Sequence, residues 1–417
     1  MKRVLNKIGK VILVLLAVLI LAHGALTFVL GRRLEARLAE MKAAGQPVSM
    51  SDLAGPPVPD SENGAVIYEQ VFEEVSSPAY KRDVQWIPYS SSTWSFNKNP
   101  DWAAAKAAVE RHEHILELVQ RANAMPKFRF RGKRDPRSGD FLKPLRYERE
   151  LSRYLGAYAV VEAHFGNMDE AVRALDISIQ SINKVREPLL IPYLVTLSRV
   201  GIISRQVEDV LRYGNRMNEA QARRLFEAFG HLDLKERCNA ALSGESARVF
   251  DGTEILFDTT HSPLPQAYLF HPWLYAERLA MSDQTQLLLR NSNLSYREMK
   301  DKGIVISQQA KLHFYTPHAN NMAHAYARVV VMRDWRISYI GCSQIVLALQ
   351  AYKDRFATYP ETLAELNSRL GWKLPNDPFS GKPFIYKRRG QGFLLYSVGD
   401  NPRVRDVHLY PPWTAEH

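Results

Sequence analysis

The sequence predicts a mainly α-helical protein with an N-terminal transmembrane helix, a body of helical hairpins and a small α+β module at the C-terminus. Three observations support this fold class. An uncharged apolar run lies near the N-terminus, apolar residues recur at helical spacing through the middle of the chain, and turn residues alternate with short apolar runs near its end. The 417 residues are 46% hydrophobic and 24% charged, which is enough apolar material for one or two cores.

The first element is the apolar run at residues 11–30, which contains no Asp, Glu, Lys or Arg. A helix rises about 1.5 Å per residue, so a run of this length spans a hydrocarbon core of about 30 Å. We therefore predict a transmembrane anchor over residues 1–31, with membrane lipid as its partner. The basic residues before the run are Lys2, Arg3, Lys7 and Lys10. They favour a cytoplasmic N-terminus, whereas the arginines just after the run favour the opposite orientation.

A cleaved signal peptide is the alternative interpretation of this run, with Ala22-His23-Gly24 as a small-residue cleavage site. Cleavage there would expose the apolar residues 25–30 to water at a new N-terminus. An uncleaved signal-anchor explains more of the sequence. It predicts a single-pass protein of the cytoplasmic (inner) membrane of a bacterium, with the C-terminal body on the periplasmic side.

Residues 32–98 connect the anchor to the body. Residues 32–44 are rich in helix-forming side chains and are predicted to continue the anchor helix until Gly45. The stalk segment, residues 55–64, reads GPPVPDSENG, and its prolines and acidic residues are typical of a linker. The sequence therefore predicts a juxtamembrane helix followed by a Pro-rich stalk.

The body is predicted to occupy residues 99–322. Its first helix is expected to begin with Asn99 as N-cap and Pro100 in the first turn, and to run to Met125. Residues 248–318 mix short helical pieces with turn residues, which predicts helix with long connections.

Between these parts, residues 147–229 keep helical spacing almost throughout, with breaks near Gly166, residues 188–192 and Gly214. Helices separated by short turns indicate stacked antiparallel hairpins. Residues 163–171 resemble the inter-helix turn of a tetratricopeptide repeat, in which small residues let two helices approach and Gly ends the first. The turn has no echo one repeat length later, so we predict a repeat-like (TPR-like) hairpin stack rather than a regular array.

The basic segment, residues 127–149, carries nine Lys and Arg residues with three interleaved phenylalanines. Its Gly and Pro residues predict a loop. Two interpretations stay open: a surface that binds anionic lipid head groups or an acidic partner, and a solvated loop whose phenylalanines pack under the body. The candidate interaction residues of this segment are Lys127, Arg129, Arg131, Lys133 and Arg134.

The C-terminal part, residues 323–417, is predicted to combine a long helix at residues 323–356 with an α+β module. Residues 377–381 read DPFSG, a turn by its chemistry, because Asp bonds its own backbone downstream, Pro fixes φ and Gly accepts a positive φ. Two strands, residues 384–386 and 393–398, are expected to form a hairpin across a glycine-containing turn.

Residues 348–401 also resemble the C-terminal part of type II secretion pseudopilins, the major one especially. The matching positions are Tyr352, Tyr359, Pro360, Leu363, Leu366, Leu374, Pro375, Asp377, Pro378, Gly381, Pro383, Tyr386, Gly392, Ser397 and Gly399. The resemblance implies a small α+β fold and an envelope location, and it makes Asp377 and Tyr386 candidate interaction residues. The layout of the whole chain is likewise similar to that of membrane-anchored bacterial envelope proteins.

The chain departs from the pseudopilins in three features. The helical body separates the anchor from the C-terminal module, whereas a pseudopilin joins them directly. A prepilin peptidase site is not visible around Gly9 or Gly31, and residues 399–406 are less acidic than the calcium loop of that family. The resemblance therefore implies a fold and a location rather than an activity.

The sequence contains no set of residues that specifies a reaction, a metal or a cofactor. Neither an HExxH nor a GxSxG pattern is present, and His112 and His114 are two apart on a predicted helix, which places them on different faces. Cys238 and Cys342 are expected to be buried thiols, with a bridge between them as the alternative. Glu245, with acids nearby, is the one candidate for hydrolase chemistry, although paired acids near a turn are usually solvated.

The helical stack, the pseudopilin-like ending and the absence of a reactive set of residues favour a binding protein over an enzyme. The net charge of +11 makes anionic partners plausible, and a periplasmic location argues against nucleic acid as the partner. The prediction is a membrane-anchored envelope interaction or scaffold protein whose partners are other envelope proteins. The alternatives are a type II secretion or pilus-related component and an envelope hydrolase that uses Glu245. The sequence indicates no oligomeric state.

Overall fold

The computed structural model describes residues 2–54, 56–84, 100–130, 143–214, 216–255, 264–304 and 316–400. Over these residues the protein is mainly α-helical, with a two-stranded sheet near the C-terminus, as predicted. The earlier helices are α1 (Lys2–Ala43), α2 (Met50–Ala54), α3 (Gly64–Ser76), α4 (Pro78–Asp83), α5 (Trp102–Arg111), α6 (His114–Ala124), α7 (Lys143–His164) and α8 (Met168–Lys184). The later elements are α9 (Leu190–Tyr213), α10 (Glu219–Gly230), α11 (Leu234–Ile255), α12 (Leu264–Arg290), α13 (Tyr296–Asp301), α14 (Pro317–Phe356), α15 (Leu363–Leu370), β1 (Ile385–Arg389) and β2 (Gly392–Tyr396).

Helix α1 continues from the apolar run into the following charged segment without a break, as predicted. Its part from Asn6 to Ala43 is long and apolar enough to cross a membrane, and its most apolar stretch is not buried against the protein. The large apolar side chains from Ile8 to Leu21 are more than half exposed. Exposed leucines and isoleucines in this number need an apolar solvent, which is what a bilayer supplies.

The stalk segment packs against the body instead of standing free. The side-chain oxygen of Asn63 accepts hydrogen bonds from the backbone N–H of Ala65 at 3.2 Å and of Arg129 at 2.8 Å. The backbone N–H of Gly64 donates to the carbonyl of Lys127 at 2.9 Å. A Cβ at Gly64 would lie 2.4 Å from the carbonyl oxygen of Ala122, so only Gly allows this approach.

The first body helix differs from the prediction at its start and in its middle. The N-cap of α5 is Asp101, whose carboxylate accepts from the N–H of Ala104 at 3.0 Å, while Asn99 lies outside the described residues. The predicted single helix is also wrong, because α5 ends at Arg111 and α6 begins at His114. Residues 112 and 113 form a turn between the two helices.

The loop predicted for the basic segment is wrong over its last third. Helix α7 begins at Lys143, and Pro144 lies in its first turn. Proline is tolerated there because its missing N–H would have no helical partner anyway. The many charged residues and the prolines of the segment led to the prediction of a loop where a long helix begins.

Helices α7, α8 and α9 form the centre of the body, and each packs against the other two. A three-residue turn joins α7 to α8, in which Gly166 has a φ of 89°, so the turn predicted at residues 163–171 is present. Helix α14, predicted from residue 323, begins at Pro317 and packs on α9, α10 and α12. A continuous hydrophobic core runs from α3 to β2.

The C-terminal module is built on α14. Strands β1 and β2 pair antiparallel with Ile385 opposite Tyr396, and the predicted hairpin is confirmed. The Phe384 ring packs against α14 where Gly341 leaves room: a Cβ at that position would lie 2.8 Å from the ring. The rings of Trp335 and Phe379 lie 4.9 Å apart across the same contact. The module and the body therefore share one core.

Candidate functional site

The contact between α1 and α12, which we call the anchor seam, joins the apolar helix to the body. One stripe of α1 is at least half-buried along this contact, and it recurs every three or four residues as one face of a helix does. The stripe consists of His23, Gly24, Thr27, Leu30, Gly31, Leu34, Arg37, Leu38 and Met41. The exposed apolar side chains of α1 lie on its other faces and towards its N-terminus.

The two helices of the anchor seam run parallel. A Cβ at Gly31 would lie 3.3 Å from the ring of Tyr275, so the missing side chain lets the helices approach. Further along, the guanidinium of Arg37 lies 2.6 Å from the carboxylate of Asp283. The chain therefore runs in the same direction along both helices.

A small hydrophobic cluster of its own fills the anchor seam. Leu34, Met41 and Val48 are buried with Phe250 of α11, and Leu279 of α12 packs against them. Beyond the end of α1, the side-chain amides of Gln46 and Gln286 are hydrogen-bonded at 3.3 Å. The residues that follow the apolar run are therefore fastened to α11 and α12.

The first four residues of the basic segment, residues 127–130, contact other parts of the protein. The Lys127 ammonium lies 2.7 Å from the carboxylate of Glu62, and the Arg129 guanidinium donates to the carbonyl of Pro56. Phe128 and Phe130 pack against the rings of α3, with Phe128 4.7 Å from Tyr68 and Phe130 5.7 Å from Phe72. These phenylalanines therefore pack against the body, as one of the two interpretations predicts. Arg131, Lys133 and Arg134 lie outside the described residues.

Asp377 and Tyr386 both point into the C-terminal module. The Oδ1 of Asp377, which is 1% exposed, accepts from the N–H of Phe379 at 3.0 Å and from the hydroxyl of Ser397 at 2.8 Å. Its Oδ2 accepts from the N–H of Val398 at 3.1 Å. The Tyr386 hydroxyl donates to the carbonyl of Pro360 at 2.7 Å, and burial raises the pKa of this tyrosine. Both side chains tie the turn, the hairpin and the preceding loop together.

Replacing Asp377 by Ala is expected to destabilise the module by about 3 kcal/mol, because two N–H groups and a hydroxyl lose a charged acceptor. Asp377→Asn keeps the Oδ1 acceptor and should cost about half as much. Hydrogen exchange of the β1 and β2 amides measures the effect locally. Equal protection in the alanine variant and the native protein would contradict the structural role.

Glu245 lies inside α11 rather than near a turn. It is 5% exposed, and its Oε1 accepts from the Nε of Arg248 at 2.8 Å. Its Oε2 accepts from the backbone N–H of Leu190 at 3.5 Å. Asp251 and Glu254 are the nearby acids that could have acted with Glu245, and the structure does not describe their side chains. Glu245 therefore joins α11 to the start of α9, a contact that explains its burial without catalysis.

His112 and His114 share a partner, contrary to the prediction that they lie on different faces. Both imidazoles contact the carboxylate of Glu74, at 2.7 Å and 2.6 Å, and the second ring nitrogen of His112 lies 3.0 Å from Asp83. The prediction is wrong because the chain turns between α5 and α6 at these residues. Among the described residues, no group of three His, Cys, Asp or Glu could hold a metal ion.

A buried ionic cluster at the centre of the body was not found from the sequence. Arg199 of α9 is fully buried, and its guanidinium donates to Glu148 at 3.2 Å and to Ser152 at 2.9 Å, both on α7, and to the hydroxyl of Ser181 on α8. Among the residues that the structure describes, the second carboxylate oxygen of Glu148 has no hydrogen-bond partner. Burial raises the pKa of Glu148 to about 7. This carboxyl can gain or lose a proton near neutral pH.

The two cysteines are separate free thiols, and both are buried, as expected. Burial raises the pKa of each thiol, which keeps it protonated and unreactive. Cysteines introduced at exposed positions can therefore be labelled selectively.

No family model, curated protein or solved structure matches the chain. Its function is therefore inferred from its own residues and their geometry.

Proposed function

We propose that the protein is a single-pass, membrane-anchored scaffold of the cell envelope that binds other envelope proteins. The observation that carries this proposal is the anchor seam, which fastens the helical body directly to the apolar helix. A body on a flexible stalk would sample many orientations, whereas a docked body presents one. A surface ordered in advance loses less entropy when a partner binds.

The body is proposed to lie on the periplasmic side of the inner membrane, with residues 1–31 as an uncleaved signal-anchor. The basic residues before the apolar run support a cytoplasmic N-terminus. Among the arginines that follow the run, Arg37 is folded into the anchor seam and paired with Asp283. The charge of Arg37 is therefore explained by a contact within the protein, and it does not argue against this orientation.

The orientation can be tested with an exposed cysteine. The ring of Phe165 is 47% exposed, so Phe165→Cys should react with a membrane-impermeant maleimide in intact spheroplasts. The native protein is the control, because its two thiols are buried and should not react. Labelling that appears only after the membrane is permeabilised would place the body in the cytoplasm and contradict the proposal.

The helical body is the proposed partner-binding part. The turn at residues 163–171 and the mutual packing of α7, α8 and α9 support a TPR-like stack of hairpins. Such stacks expose the outer faces of successive helices, which suits the recognition of proteins.

A type II secretion or pilus-related component is the second candidate function. The hairpin of β1 and β2 and the buried Asp377 turn lie in the order that the pseudopilin resemblance implies. A pilus subunit needs N-terminal processing, so mass spectrometry of the N-terminus separates the two candidates. An intact Met1 would contradict membership of a pilus.

Crosslinking in living cells tests the scaffold itself. The tagged full-length protein is crosslinked in its native membrane, and captured partners are identified by mass spectrometry. We expect a small, reproducible set of envelope proteins whose capture falls when the anchor seam is opened by Leu34→Asp. Turnover of a cell-wall or lipid substrate by the purified protein would contradict a scaffold and favour the hydrolase.

A further inference from the structure

The start of α12 lies at the depth of the apolar run of α1. The two helices run parallel, and Tyr275 of α12 lies beside Gly31 of α1. The residues of α12 before Tyr275 therefore lie along the residues of α1 before Gly31. Phe270 is five residues earlier, with Pro272 between them, which places it up to about 7 Å further towards the apolar end at about 1.5 Å per residue. On α1, Thr27 precedes Gly31 by four residues and is half-buried.

The composition of this end of α12 differs from the rest of the chain. Residues 264–276 contain no Asp, Glu, Lys or Arg, although 24% of the chain is charged. Charges return at Glu277 and Arg278, both of which are buried inside the body. The uncharged stretch of α12 therefore ends at about the same position along the helix axes as the apolar run of α1.

Four described side chains of this stretch are aromatic: Phe270 is exposed, and His271, Trp273 and Tyr275 are partly exposed. Phe270 is 49% exposed and lies edge-on to the Trp273 ring at 6.5 Å. The rings of His271 and Tyr275 stack at 5.8 Å. Trp and Tyr collect at the boundary between head groups and acyl chains, because one end of the ring is apolar and the other polar.

We propose that Phe270, His271, Trp273 and Tyr275, the aromatic patch, form a second membrane contact that lies in the outer head-group and acyl boundary beside the anchor. The proposal rests on the proposed function, since it requires α1 to cross a bilayer. If the apolar run ends at Leu30, inserting α1 carries Phe270 up to about 7 Å below the surface, within the range of about 5–10 Å that interfacial helices reach. Two contacts side by side prevent the body from rotating about the anchor axis.

The test uses an environment-sensitive fluorophore on single introduced cysteines in the full-length protein, reconstituted in nanodiscs of phosphatidylethanolamine and phosphatidylglycerol. Phe270→Cys probes the aromatic patch, Leu21→Cys the middle of the apolar run and Phe165→Cys the body. All three native side chains are at least 47% exposed, so the substitutions leave the core intact. Quenching by nitroxides attached high or low on the acyl chain reports the depth of each label.

We expect the label at Phe270 to lose emission with the shallow nitroxide, the label at Leu21 to lose more with the deep one and the label at Phe165 to be unaffected by either. An unquenched label at Phe270 together with a quenched one at Leu21 would overturn the aromatic contact and leave the anchor standing. An unquenched label at Leu21 would overturn the anchor, and with it the proposed function.

Discussion

Replacing Arg199 by Met is expected to lower the free energy of unfolding by about 3–5 kcal/mol at pH 8, because removing one partner of a buried ion pair strands the other. Arg199 is fully buried, and its guanidinium lies 3.2 Å from the carboxylate of Glu148. The substitution also removes the donors to Ser152 and Ser181. Methionine fills much of the same space, so the loss reports the charge and hydrogen bonds rather than a cavity.

Glu148→Gln is the companion variant, and its effect should depend on pH. The folded state raises the pKa of Glu148 from 4.5 to about 7. Between these values the folded protein holds a proton that the unfolded chain has released, so stability falls as the pH rises through this window. The loss is on the order of 3 kcal/mol in the native protein. Glutamine cannot release a proton, and the variant should lack this loss.

Urea unfolding of the full-length protein in detergent, followed by circular dichroism at pH 5 and pH 8, measures both variants. The control is Arg186→Met, because Arg186 is exposed and lies 3.3 Å from Glu236, and removing a surface pair should cost less than about 1 kcal/mol. An Arg199→Met variant as stable as the control at pH 8 would show that the buried pair does not stabilise the body.

Local sequence signals were enough to predict several elements of the fold, but not the long helix α12, because short helical pieces were expected over residues 248–318. The uncharged run predicted α1, helical spacing predicted α7 to α10, and DPFSG with two short apolar runs predicted the turn and hairpin. Each of these signals is contained within a few neighbouring residues. The break between α5 and α6 was missed because the apolar spacing continues across His112, and the contacts of His112 with Glu74 and Asp83 come from distant residues.

The site residues were harder to predict, because burial depends on which helices meet. Glu148 stands where the basic segment, predicted to be a loop, overlaps the stretch from residue 147 that keeps helical spacing. Its spacing from Ser152 and Leu155 is helical, and that pattern was the one available sign of a buried face. The anchor seam had a similar sign in the small residue Gly31, but the sequence does not say that Tyr275 of α12 lies against it.

Replacing Leu34 by Asp is expected to detach α1 from the body. Leu34 is 4% exposed in the anchor seam between Phe250 and Tyr275. Losing the burial of a leucine costs about 2 kcal/mol, more than tenfold in the docking equilibrium, and burying a carboxylate among apolar side chains costs more still. The rest of the body should remain folded, because its core does not include this cluster.

Docking can be read from a cysteine pair at Gln46 and Gln286, whose amides are hydrogen-bonded across the end of the seam. A short bismaleimide should crosslink the pair in membranes in an otherwise native background, and Leu34→Asp should reduce the yield at least about tenfold. The matched control is Ala36→Asp, which adds the same charge on the exposed face of α1. Equal crosslinking in both aspartate variants would mean that the seam is not held by Leu34. Loss of crosslinking together with loss of partner capture would tie the scaffold to the docked state, since the anchor itself is unchanged.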